Sequence, residues 1–144
     1  MTINTRVARS VRDIRSKLRD LAAAEHSHAN ATTRAAAAYV ETEEQTLEDT
    51  LDEAEDTLAG ATNVYALDNV AGLVACQREA ISDAANAHVA ATAVSNLAEA
   101  RLKIRIRQLK TAERVVEMVN DSRTTREAKA EQHAHDDLVN ARRR

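Results

Sequence analysis

The sequence has few of the residues that interrupt helices or fill a thick core. Its 144 residues contain no proline and two glycines, so few positions favour a chain reversal. Phenylalanine and tryptophan are absent, and much of the 44% hydrophobic content is alanine, which buries little surface per residue. An alanine-rich, charged, glycine-poor chain is typical of a coiled coil or a thin helical bundle.

Cysteine and long apolar runs are scarce as well. A single cysteine, Cys76, excludes an internal disulfide and is compatible with a reducing compartment. No run of about 18 apolar residues occurs that would span a membrane. The first residues, MTINTRVARSVRDIRSK, place arginines where a signal peptide would need an apolar stretch. We therefore expect a cytoplasmic protein that is at most peripheral to a membrane.

Charge is distributed unevenly along the chain, although the formal net charge is only −3. Residues 1–20 carry a net charge of +4, and residues 101–114 carry +5. Between them, residues 41–56 contain nine acidic side chains and no basic one. Such blocks indicate a strongly polarised molecule.

A heptad repeat in the first half predicts one face of a coiled-coil helix. The predicted core face comprises Val7, Val11, Ile14, Leu18, Leu21, Glu25, His28, Thr32, Ala35 and Tyr39. A slip of one residue then shifts the repeat. The face continues with Val40, Glu44, Leu47, Leu51, Ala54 and Leu58.

The second half follows the same template for more than seven heptads. Its predicted core face comprises Leu67, Val70, Val74, Gln77, Ile81, Ala84, His88, Ala91, Ser95, Ala98, Leu102, Arg105, Leu109, Ala112, Val116 and Val119. Gly60 suits a helix C-cap, and Thr62 or Asn63 suits the next N-cap. We predict helices over residues 4–59 and 64–142, joined by a turn at 60–63.

A short connection between two long helices makes them antiparallel neighbours. The predicted fold is therefore all-α, with two long antiparallel helices forming one coiled-coil hairpin over residues 1–144. This pairing places Leu18 near Leu109 and Leu51 near Val74, with alanines facing alanines in between. Residues 120–144 would overhang the hairpin, either as a solvated end or as a helix that awaits a partner.

The last 39 residues, IRQLKTAERVVEMVNDSRTTREAKAEQHAHDDLVNARRR, contain a QLK stretch, a charged run and an EQ…DD…RR ending. The matching positions are Gln108, Leu109, Lys110, Glu131, Gln132, Asp136, Asp137, Arg142 and Arg143. With the opening RVARSVRDIRSKLRDLAAAE and the two-helix plan, they make the chain resemble the FliJ family of flagellar export proteins, with its SctO/YscO relatives in virulence type III secretion.

The resemblance implies a central-stalk role without catalytic chemistry or a cofactor. The hairpin end that bears both termini would enter the hexameric export ATPase, and the remainder would project towards the cytosolic domain of the export gate. Export chaperones are further candidate partners. The implied ATPase-binding residues are Arg6, Arg9, Arg12, Arg105, Arg107, Lys110, Arg114, Glu131, Gln132, Asp136, Arg142 and Arg143.

Metal binding is another possible function. Glu25 and His28 form one E-x-x-H, but a carboxylate-bridged metal centre needs two such motifs and two further glutamates on facing helices. Polar residues at core positions, His88 among them, more often set the register of a coiled coil. His133, His135 and Asp136 lie in the tail. We expect no metal site and no enzymatic activity.

Two other functions are disfavoured, and one competes. The net acidic chain has two aromatic residues, both tyrosines, and no recognised nucleic-acid-binding module, so we expect no nucleic-acid partner. A membrane-surface helix is disfavoured because the apolar strips are matched to each other. The competing hypothesis is a self-associating helical scaffold or phasin-like coat protein.

Overall fold

Two long helices make up the protein. The computed structural model describes residues 5–60 and 64–142, and side chains within 5–56, 59 and 64–137. Helix α1 spans Thr5–Gly60 and helix α2 spans Val64–Arg142. The predicted fold class is confirmed, because the two helices pack against each other as an all-α hairpin. Gly60 is the last residue of α1, and the predicted caps Thr62 and Asn63 lie outside the described residues.

The chain divides into two units. The terminal unit combines residues Met1–Ala23 and Arg101–Arg144, and the turn unit comprises Ala24–Ala100. In the terminal unit, Arg15 Nη1 donates to the backbone carbonyl of Gln108 at 2.9 Å. The turn unit joins its helices through hydrogen bonds from Ser95 to Asn30 and from Gln77 to Thr50. The hydrogen bond between Arg15 and Gln108 agrees within a few residues with the predicted pairing of Leu18 with Leu109.

Alanine dominates the seam, by which we mean the line of contact between α1 and α2. Seven of the nine hydrophobic residues that are buried in the described chain are alanines. They are Ala8, Ala22, Ala29, Ala54, Ala84, Ala98 and Ala112, and the other two are Leu109 and Val116. Small side chains let two helix backbones approach closely, so alanine at these positions favours a thin seam.

The predicted face of α2 is correct from Val70 to Val119. Every residue of that face in this range is buried or half-buried. Leu67, at its beginning, is 53% exposed instead. Leu58, the last residue of the predicted face of α1, lies outside the described side chains. The heptad repeat of α2 therefore located its contact surface almost completely.

The predicted face of α1 is wrong in its first half, and in its second half at Glu44 and Leu51, which are exposed. Val7, Ile14 and Leu21 are 55%, 59% and 58% exposed, and Glu25, His28 and Tyr39 are exposed as well. The seam uses positions one residue later. They are Ala8, Arg12, Arg15, Arg19, Ala22, His26, Ala29, Thr33, Ala36 and Val40, followed without a slip by Glu43, Leu47, Thr50 and Ala54.

The spacing of the helices explains this correction. The observed repeat continues unbroken from Ala8 to Ala54 and sets its alanines against those of α2. A larger side chain at one of the buried alanine positions would push the backbones apart locally and lose contact with α2. The aliphatic residues of α1 are thus displaced to one side of the contact line.

Polar layers cross the seam of the turn unit. Ser95 is buried and donates to the side-chain oxygen of Asn30, whose nitrogen lies 3.2 Å from His26 Nε2. Gln77 Nε2 donates to Thr50 Oγ1 at 2.8 Å, while its Oε1 is buried without a partner. Such layers favour one alignment of the helices over slipped alternatives, at a cost in stability.

Enlarging the most deeply buried alanine tests the close approach of the helices. Ala84 is 3% exposed, whereas Ala87, three residues later, is exposed. We expect Ala84→Leu to lower the free energy of unfolding by about 1–3 kcal/mol through overpacking. Ala87→Leu, the matched control, should change it by less than about 0.5 kcal/mol. Urea unfolding followed by circular dichroism measures both, and equal effects would contradict the alanine seam.

Replacing Gln77 tests the cost of its layer. Gln77→Leu removes a buried oxygen that has no partner and adds an aliphatic side chain at a core position, while Thr50 keeps its bond to the Thr46 carbonyl. We expect the free energy of unfolding to rise by about 1 kcal/mol. A lower melting temperature for the variant would show that this layer is stabilising instead.

Candidate partner-binding surface of the terminal unit

The two units carry opposite charge. The terminal unit has 18 basic and nine acidic residues, a net charge of +9, and the turn unit has two basic and 14 acidic residues, a net charge of −12. In the turn unit, the hydrogen bond and negative charge of Glu43 raise the pKa of Tyr39 above its ordinary value. A partner therefore meets a cationic surface on one unit and an anionic surface on the other.

All the predicted ATPase-binding residues belong to the terminal unit. On α1, Arg6 and Arg9 are exposed. Arg12 occupies a seam position and is half-buried, and its guanidinium donates to the Asp13 carboxylate at 2.7 Å. Arg6 and Arg9 therefore present more of their surface to a partner than Arg12 does.

On α2 the predicted residues fall into two groups. Arg107, Lys110 and Arg114 are exposed, so their charges face solvent. Arg105 is half-buried at a seam position, and its Nη1 donates to Gln108 Oε1 at 3.0 Å. Substituting Arg105 would disturb the seam as well as the surface charge, so it is a poor probe of binding.

The end of α2 presents the remaining predicted residues. Every residue from 121 to 137 is exposed, as the predicted overhang requires, and Glu131, Gln132 and Asp136 are among them. The Arg123 guanidinium contacts the Glu127 carboxylate at 2.8 Å, a pairing that supports the helix locally. Arg142 is the last helical residue, its side chain is outside the described side chains, and Arg143 is outside the described residues.

A groove in the terminal unit was not predicted. Its two sections have volumes of about 350 and 300 Å³, large enough for several side chains. The groove is lined by Val7, Ala8, Val11, Ile14, Arg15, Leu18, Arg105, Gln108, Thr111, Ala112 and Val115. The sequence signal was the spacing from Val7 to Leu21, which we assigned to the seam. The structure shows that this spacing marks a solvent-facing stripe instead.

The groove combines aliphatic walls with cationic groups. Arg15 donates to the backbone carbonyl of Gln108, and Arg105 donates to the side chain of the same residue. No acidic side chain lines either section, and none in the described part of the chain forms an ion pair with Arg15 or Arg105. The positive charge of both guanidiniums is therefore offset only by neutral acceptors.

The residues considered for a metal site are not brought together. Glu25 and His28 are exposed on α1, and His88 is half-buried at the seam. His133, His135 and Asp136 are exposed on α2. Across residues 5–60 and 64–142, no three His, Cys, Asp or Glu side chains are grouped to hold a metal ion.

Comparison with known proteins adds no relative. No family model, curated protein or solved structure matches the chain. Within the described residues, neither helix contains an apolar stretch that is long enough to cross a bilayer.

Proposed function

We propose that the protein is a non-enzymatic stalk subunit of a bacterial type III protein export apparatus, flagellar or injectisome. In this role the terminal unit inserts into the hexameric export ATPase, and the rest of the chain contacts the cytosolic domain of the export gate. Export chaperones are further partners. The protein acts in the cytoplasm, at the cytosolic face of the membrane export apparatus.

The observation that supports this proposal is the separation of charge between the two units. The terminal unit, at +9, contains every predicted ATPase contact, and the turn unit, at −12, contains none of them. Complementary charge governs which end of a protein enters a charged pore and at what rate. Exposed arginines and lysines on both helices allow contact with acidic loops of a ring at several rotational positions.

The exposed end of α2 supports the same role. From residue 121 to 137 every described side chain is exposed, so packing against α1 buries none of them. Helices in proteins gain most of their stability from tertiary packing, and an isolated helical segment is only marginally stable in water. A surrounding ring would supply that packing, and the helix would bring Glu131, Gln132 and Asp136 to it.

Charge reversal on α2 tests the ATPase contact. We expect the purified chain to promote ring assembly and ATP hydrolysis of its cognate export ATPase. Arg107→Glu with Lys110→Glu, both exposed positions, should abolish most of the stimulation because the terminal unit loses four units of positive charge. Deleting residues 120–144 should also remove it, while circular dichroism shows that the remaining helices persist.

The matched control for this experiment is Arg78→Glu, an exposed basic residue of the turn unit. It changes surface charge without touching the terminal unit, so stimulation should be retained. Undiminished hydrolysis after the tail deletion would defeat the assignment of that segment. Equal loss with Arg78→Glu would show a general charge effect and count against a specific terminal contact.

A self-associating scaffold is the second candidate, and the exposed aliphatic stripe of α1 favours it. Val7, Val11, Ile14 and Leu21 are between 40% and 59% exposed. Contiguous apolar surface on a helix pair commonly becomes the core of a larger bundle. Several copies could bury this stripe together.

Molecular mass in solution separates the two candidates. The proposed stalk should behave as a monomer of 15.7 kDa at micromolar concentration. A scaffold should give multimers whose mass rises with concentration. Light scattering coupled to size-exclusion chromatography measures this mass, and a stable tetramer would favour the scaffold over the stalk.

A further inference from the structure

We propose that the groove of the terminal unit is a docking site for an acidic amphipathic helix of another protein. Such a helix would lay its apolar side chains between α1 and α2 and direct its carboxylates at Arg15 and Arg105. This inference uses only the groove and its charges, so it holds whether or not the protein serves in export.

The groove has the spacing that a third helix requires. On α1 the residues Val7, Val11, Ile14, Leu18 and Leu21 follow four- and three-residue steps, each one position before a seam residue. This is the repeat that presents one continuous stripe to a packed partner helix. Four of these five residues are exposed, so α2 does not cover the outer edge of the stripe.

Helix α2 contributes to the same side. In an antiparallel pair, the positions just before the seam residues of both helices face the same way, which is why Val11 and Val115 line one section together. Ile104 and Met118 occupy equivalent positions and are 51% and 67% exposed. Two helices thus offer aliphatic edges to one occupant.

The opposite side of the terminal unit is different. The positions just after the seam residues are occupied by charged side chains at most places. They include Arg9, Asp13 and Asp20 on α1, and Lys103, Lys110, Glu113 and Glu117 on α2. The terminal unit therefore has one apolar side and one charged side, and only the apolar side suits an amphipathic helix.

Charge selects an acidic occupant. Arg15 and Arg105 lie between the aliphatic walls, and each donates a hydrogen bond to Gln108. Lys17, Arg107 and Arg114 are exposed three residues after Ile14, Ile104 and Thr111, which places them beside the groove on their helices. Carboxylates on the incoming helix would accept charge-assisted hydrogen bonds from these groups, and an arginine can engage a carboxylate through two parallel bonds.

Two other occupants fit less well. A second copy docked groove to groove would oppose two units of net charge +9, and would bring the guanidiniums of Arg15 and Arg105 against their equivalents. A lipid surface favours cations above an apolar face, where they meet the head groups. Here Arg15 and Arg105 line the concavity together with the aliphatic residues, which suits inserted side chains.

Two designed peptides test the site on the full chain. Both are helical and carry the same leucine stripe at i, i+3, i+4 and i+7, flanked by glutamates in one and by lysines in the other. Fluorescence anisotropy of the labelled peptides should show at least about tenfold tighter binding of the glutamate peptide. Its affinity should fall as salt is raised, because exposed charges contribute to it.

Substitutions locate the binding. Val11→Ala with Ile14→Ala should weaken the glutamate peptide about tenfold by removing apolar contact. Arg107→Gln, at an exposed position beside the groove, should weaken it about threefold by removing one positive charge. Leu73→Ala with Val89→Ala, exposed aliphatic residues of the turn unit, is the matched control for the first variant. Arg78→Gln is the control for the second. Both controls should bind normally, and circular dichroism checks the helicity of all four.

Three results would overturn the proposal. Equal affinity for the two peptides, or binding of neither, would remove the acidic helix as occupant. A dimer that Val11→Ala with Ile14→Ala dissociates would assign the groove to a second copy. Binding to phosphatidylglycerol vesicles that the same variant abolishes, without peptide binding, would assign it to a membrane. Because no ATPase is present in these assays, failure of the stalk proposal would leave their outcome unchanged.

Discussion

The close approach of α1 and α2 through alanine is the constraint on which the other features depend. With Ala8, Ala22, Ala84, Ala98 and Ala112 in the seam, little space is left for branched side chains. The helices gain many shallow contacts along their length in place of a few deep ones. Polar layers such as Asn30 with Ser95 then select one alignment among the many that a uniform alanine surface would permit.

The same constraint generates the surface of the terminal unit. Aliphatic residues that a wider hairpin would bury lie beside the seam, and arginines occupy seam positions between the alanines. The long stem of Arg15 crosses the apolar groove while its guanidinium reaches the Gln108 carbonyl, a use of arginine that combines packing with charge. An acidic amphipathic helix would use both the apolar and the cationic groups of this surface.

Much of the fold could be predicted from the sequence, because helix α2 has an unbroken repeat and the turn region contains Gly60. The face of α1 could not, since its repeat is ambiguous by one residue. Hydrophobicity alone favours Val7, Val11 and Ile14 as the core, whereas the spacing set by the opposing alanines favours Ala8 and Arg15. Which residues of α1 face the seam therefore depends on the side chains of both helices. The residues of the candidate site lie in the terminal unit. The groove was not predicted, because its position depends on the corrected register of α1.

The interhelical hydrogen bonds close loops of very different size. Thr50 and Gln77 are 27 residues apart, Asn30 and Ser95 are 65 apart, and Arg15 and Gln108 are 93 apart. The entropy lost on closing a loop grows with its length. Contacts between α1 and α2 should therefore form first near the turn and then progressively towards the termini. The terminal unit would then be the last part to assemble and the first to exchange its amide protons. The surface that we assign to partners is thus expected to be the last part of the hairpin to form.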